Sequence, residues 1–307
     1  MVIALLLLLI VAGCTPPPQR APDRAAELVA AARADSVAAL QQLLADGVSP
    51  DTSVAGGDRP LIEAARNGRV AAVTALIAGG ARLDLADSTG ARAIDYAVAN
   101  GRREVTALLV RAAAHQAGLS REAQAWFDAV GRPDSTLPGW TRALDGELLS
   151  LGLCYAALEG RADAVMALRR SAGVPNRTGY SALAFAARFG ELATVRALLA
   201  AGANPDIEAH NVWHETPLMD AARDGYVEIG AALIRAGARV DHFDVNHETA
   251  LMWAVREGET EYAAMLLGDG ANPALRNRAG DDARDLAEAI NHHDLIELLS
   301  APRARRQ

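Results

Sequence analysis

An alanine recurs at a nearly fixed interval along this chain, and that interval limits the possible folds more than any other feature. The alanines are Ala31, Ala64, Ala97, Ala156, Ala186, Ala221, Ala254 and Ala287, at successive steps of 33, 33, 59, 30, 35, 33 and 33. The same passage surrounds each of them. Arg59-Pro60-Leu61-Ile62-Glu63-Ala64-Ala65-Arg66-Asn67-Gly68 reads as a short helix stopped by glycine. Val70 to Ala78 follows as a second helix, with Val73, Leu76 and Ile77 on one face and Gly79-Gly80 at its end. The passage returns from Thr216 to Gly225, from Thr249 to Gly258 and from Ser181 to Gly190. One such pair of helices cannot bury its apolar face alone, so neighbouring pairs must supply the opposite wall of the core. The composition agrees: 51% of residues are hydrophobic but only 4% aromatic, so the apolar mass is Ala, Leu and Val. Small residues let helices approach closely, whereas a β-sandwich draws on β-branched and aromatic positions.

A helix–turn–helix period of about 33 residues, opening with Thr216-Pro217-Leu218 and preceded by Gly202-Ala203-Asn204-Pro205-Asp206, resembles the ankyrin-repeat family. The resemblance covers roughly residues 24 to 300 in eight units and is looser at both ends, as in terminal units whose outer faces meet water. It implies an all-α repeat solenoid of paired antiparallel helices, with projecting β-turn fingers such as Asp84 to Gly90. It also implies a protein that binds other proteins. The array divides into N-terminal repeats over 24–115 (a cap plus two), an insertion or degenerate repeat over 116–146, and five C-terminal repeats over 147–300. A basic tail, 301–307, follows. The insertion holds Ala123-Gln124-Ala125-Trp126-Phe127-Asp128, then breakers at Gly131, Pro133 and Pro138, and accounts for the one long step between Ala97 and Ala156.

The N-terminus has its own pattern. Val2 to Ala12 is an apolar run too short to cross a bilayer, which takes about 20 residues, and suited to the core of a signal peptide over 1–13. No Lys or Arg precedes it. Val11-Ala12-Gly13-Cys14 resembles a bacterial lipobox, which implies lipidation of Cys14, a membrane anchor and a location facing the periplasm. Thr15 at the following position points to the outer membrane by the same resemblance. Residues 14–23 carry four prolines and read as a stiff tether. The second cysteine, Cys154, falls at a core-facing helical position and is expected to be a small buried residue.

Several constellations are candidates for function. Arginines stand two residues after the anchor alanine at Arg33, Arg66, Arg188, Arg223 and Arg256. Stacked on the concave face, Arg188, Arg223 and Arg256 would form a ladder for carboxylates on a partner. The alternative is a solvated face, or one paired internally with acids nearby such as Asp224 or Glu257. Aromatics one residue before the anchor, at Tyr96, Tyr155, Phe185 and Trp253, suit core packing. Trp213 and Phe243 fall in fingers outside the apolar pattern, where exposed aromatics make interface anchors. His210, His214, His242 and His247 share two successive fingers with Asp206, Glu208, Asp241 and Asp244. Such a group suits zinc. His214 and His247, one period apart and each followed by Glu-Thr, also occupy a turn position that ankyrin repeats often give to glycine, and are candidate partner contacts.

The chain carries no Gly-x-Ser-x-Gly elbow, no Gly-x-x-x-x-Gly-Lys loop and no His-Glu-x-x-His helix, so no catalytic residue, cofactor or metal site is assigned. A net charge of −8 disfavours nucleic acid, which demands clustered Lys and Arg. The expected function is a membrane-tethered protein-binding module, a scaffold or adaptor of the bacterial envelope. Two other roles remain open: an immunity protein that neutralises a periplasmic toxin, and a metal-dependent protective factor built on the His-rich fingers.

Overall fold

Each anchor alanine closes its helix in the same way. Four residues on, at Asp35, Gly68, Gly101, Gly160, Gly190, Gly225, Gly258 and Asn291, the backbone adopts a left-handed φ between 55° and 83°. The amide of the next residue then donates to the alanine's own carbonyl, at 2.7–3.1 Å in all eight units. That closure occupies a carbonyl which the helix end would leave without a partner. Glycine holds the left-handed position six times. Asp and Asn, which tolerate that backbone best among the rest, hold it in the first and last units. The period read from the alanines is therefore a period of turns.

The structure, a computed structural model, describes residues 24–54, 56–116, 118–132, 146–168, 181–209 and 213–300. The signal segment, Cys14, the tether, His210 and the basic tail lie outside them. Among the described residues seventeen helices form eight antiparallel pairs and one addition. Before the insertion come α1 (Arg24–Arg33) with α2 (Val37–Ala45), α3 (Pro60–Arg66) with α4 (Val70–Ala78), and α5 (Ala93–Ala99) with α6 (Arg103–Gln116). The insertion contributes α7 (Arg121–Val130). After it come α8 (Gly146–Leu158) with α9 (Ala162–Leu168), α10 (Ala182–Arg188) with α11 (Leu192–Ala200), and α12 (Pro217–Ala222) with α13 (Val227–Arg235). The array ends with α14 (Ala250–Glu257) and α15 (Thr260–Gly268), then α16 (Ala283–Ala289) and α17 (His293–Ser300).

First helices stack in an inner row and second helices in an outer one, with all eight anchor alanines buried between them. One apolar core runs from Leu28 to Leu295. At the insertion the rows shift. Helix α6 runs for 14 residues where α4 has nine, and α8 packs chiefly on α6 and α10. Helix α7 buries Ala123, Trp126, Phe127 and Val130, and the Phe127 ring stacks on Tyr155 of α8 at 5.5 Å. Cys154 is buried in the same helix as Tyr155.

Tight turns close the fingers. Asp244 accepts from the amides of Asn246 and Glu248 at 2.7 and 2.8 Å, and its own amide donates to the Glu248 carbonyl. A carboxylate of one finger also holds the backbone of the next. Asp51 accepts from the Arg82 amide, Asp206 from Arg239 and Asp241 from Asn272, at 2.8–2.9 Å. Among the described residues the one isolated bridge pairs Ala86 with Arg92 inside a finger. No described helix is long and apolar enough to cross a membrane.

Candidate partner-binding surface

Two positions per repeat face the concave side: the residue before the anchor alanine and the residue two after it. In the six inner units the first is Glu63, Tyr96, Tyr155, Phe185, Asp220 or Trp253, and the second is arginine in five of the eight units, with Ala99, Leu158 and Ala289 in the others. Their combination sets the chemistry of each step along the groove. Where an aromatic follows an arginine of the preceding repeat, the two stack. The Arg66 guanidinium lies 4.1 Å from the Tyr96 ring centre, and Arg223 lies 4.0 Å from that of Trp253. Where a carboxylate follows, it bridges: Glu63 is buried and accepts from Arg33 at 2.8 Å and from Arg66 at 2.5 Å.

The arginine column is thus paired within the molecule. Arg188, expected as a partner contact, is only 4% exposed. It donates through Nε to the Val98 carbonyl and through Nη2 to the Ala99 carbonyl, each at 2.9 Å, and pairs with Asp224. Arg223 reaches the same Ala99 carbonyl at 3.2 Å and pairs with buried Glu215. Arg256 pairs with Glu248 but keeps its outer surface in solvent. Glu215 and Glu248 were legible in principle, since they stand one period apart and each precedes its arginine at the same offset. The histidines just before them carry the more conspicuous pattern and draw the reading away from the acids.

Asp220 is the exception in this network. Arg188 and Arg223 are both drawn elsewhere, and neither carboxyl oxygen of Asp220 has a hydrogen-bond partner although the side chain is fully buried. Burial first, and the charge of Glu215 second, push its pKa up to about 8. Burial likewise raises Glu248, with Arg256 opposing it.

Trp213, expected as an exposed anchor, instead turns its ring edge-on to Tyr96 at 5.9 Å. Phe243 stands in the next finger. It is 39% exposed at a fingertip, with the His247 ring tilted over it at 5.3 Å. His214 and His247 both adopt the left-handed turn backbone, at φ 53° and 58°. His214 and His242 meet on one carboxylate, Glu208, at 3.3 and 3.0 Å. Among the described residues no group of three His, Cys, Asp or Glu side chains is arranged to hold a metal ion.

The helical pairs, the turns at fixed register and the projecting fingers together match a known family. A family model described as ankyrin repeats, in three copies, matches residues 28–118 and 202–277, and a single ankyrin-repeat model matches 178–210. Together these span well over half of the chain. This is an ankyrin-repeat protein. No curated protein matches it. Ankyrin arrays are in general binding modules without a reaction of their own, and the family implies a protein partner. The stretch between the matched segments, 119–177, holds α7, α8 and α9, where the rows shift.

Proposed function

We propose that this ankyrin array is tethered in the bacterial cell envelope, in the outer membrane and facing the periplasm, through a lipid on Cys14. There it grips a protein partner as a scaffold or adaptor. The lipobox-like Val11-Ala12-Gly13-Cys14 and the proline-rich stretch behind it support the tether. The fingertips support the grip. Phe243 is exposed beside His247 in an array whose concave arginines are already paired. The contact surface is accordingly Phe243, His247 and His214, with Arg256 at its inner edge. Arg188, Arg223 and Trp213 shape the scaffold beneath.

Crosslinking the full chain in intact envelopes, followed by capture, tests both halves. Phe243→Ala with His247→Ala should reduce recovery of the crosslinked partner by about tenfold, the loss expected of one interface anchor. Unchanged recovery would remove the fingertips from the interface. Recovery of the wild-type chain in the soluble fraction would remove the tether.

A further inference from the structure

The turns between paired helices form the edge of the array opposite the fingers. There, in this half of the array, the residue after a left-handed turn lies over the turn of the preceding unit: Tyr226 over Gly190 and Glu259 over Gly225. A Cβ on Gly190 would meet the Tyr226 ring at 2.8 Å, so glycine lets that ring lie flat against the backbone. Beside the ring, Leu192 and Val227 line an open groove of about 360 Å³ with Glu228 and Glu261 on its rim.

The acidic charges around this groove are only partly compensated. Nearby Glu191 and Asp224 are taken by Arg103 and Arg188. Among the described residues Glu228, Glu259 and Glu261 pair with no cation. Burial, then the charges of Asp224 and Glu257, hold Glu259 above the ordinary carboxyl range. The imbalance extends over the surrounding repeats: residues 213–300 carry 17 acidic and 7 basic side chains, whereas residues 24–116 carry 10 of each. A field of that sign steers a cationic partner to this half of the array. The groove floor adds an apolar surface, Leu192, Val227 and the Tyr226 ring, on which an apolar side chain can rest.

We infer that this groove docks a basic segment of the protein partner, with Lys or Arg side chains set against Glu228, Glu259 and Glu261 and an apolar side chain resting on Tyr226. The inference rests on the protein-binding function proposed above and adds a second contact on the opposite edge.

Calorimetric titration of the full chain with a synthetic peptide of alternating arginine and leucine, at physiological salt, provides the test. Glu228→Lys with Glu261→Lys should weaken binding by about tenfold, with an unchanged circular dichroism spectrum. Reversal of exposed acids in the same half but away from the groove, Asp269→Lys with Glu297→Lys, should change it less than about twofold. Replacing leucine by serine in the peptide should also weaken binding. Equal losses in the two charge-reversed variants would show diffuse attraction and overturn the inference, as would absence of binding. The peptide affinity of the fingertip variant Phe243→Ala separates the two proposals. It should equal wild type even if the fingertips prove not to bind the partner.

Discussion

Glu63 and Asp220 occupy the same position in two repeats, and one methylene separates their environments. The longer side chain reaches both the arginine of its own repeat and that of the repeat before. The shorter one reaches neither, and remains buried without a hydrogen bond. With a pKa of about 8, Asp220 retains a proton in the folded chain that it releases on unfolding anywhere above the ordinary carboxyl range. The native state thus binds more protons than the unfolded state between that range and pH 8. Its contribution to stability is full at the acid end and is lost as pH rises towards 8. Glu215 and Asp224 push this carboxyl up by their charge, Arg188 and Arg223 oppose them, and Tyr262 faces it as well. Asp220→Asn should flatten the pH dependence of unfolding and, at pH 8.5, raise stability over wild type by on the order of 2 kcal/mol. Urea unfolding of both proteins at pH 5 and pH 8.5 measures the difference. Parallel curves would place the proton elsewhere in the cluster.

Helices and turns were legible in the sequence wherever an element repeats. The anchor alanines fixed the register, and the glycines four residues later fixed each helix end, because the closing hydrogen bond needs a left-handed residue at that point. The same logic explains Asp35 and Asn291, where no glycine marks the stop. Helix α7 was legible only as part of an insertion or degenerate repeat, and its placement was not legible at all. It has no counterpart in another repeat, so no period tells which neighbour it meets. Phe127 decides that by stacking on Tyr155 of α8, with the Trp126 ring edge-on behind it, and the unit of α8 falls between the segments the family models match. Nearest-neighbour contacts carry stability through a repeat array, so the junction at α6–α8 is where it should divide. Trp126→Ala should cost about 3–5 kcal/mol, as a fully buried large aromatic does. It should also split one urea transition into two, for the repeats before and after the insertion. A single transition with a lower midpoint would show that contacts across the insertion hold the two halves together even without α7.

Such contacts exist at the scale of the whole molecule, and they determine what the concave face can do. Displacing α8 onto α6 brings the end of α5 to the repeats of α10 and α12, which lie two and three units further on. Arg188 and Arg223 donate to the last carbonyls of α5, Trp213 meets Tyr96, and Arg103 of α6 donates to the carbonyls of Leu158 and Phe189. The long step from Ala97 to Ala156 announced an interruption but not its direction, and these pairings depend on that direction. Arg188 and Arg223 therefore act as a brace across the bend, leaving the fingertips and the outer edges for partners. Both carbonyls of α5 are served by one planar guanidinium, a task the point charge of lysine cannot reproduce. Arg188→Ala with Arg223→Ala should open the bend: the radius of gyration in small-angle scattering should rise while circular dichroism keeps its helical amplitude. Arg188→Lys alone should fall between, since it restores the charge opposite Asp224 but not the paired donation to Val98 and Ala99. If scattering stays at the wild-type value in the double variant, the packing of α8 on α6 and α10 sets the curvature alone. The concave column would then be free to change its residues without changing the shape presented to a partner.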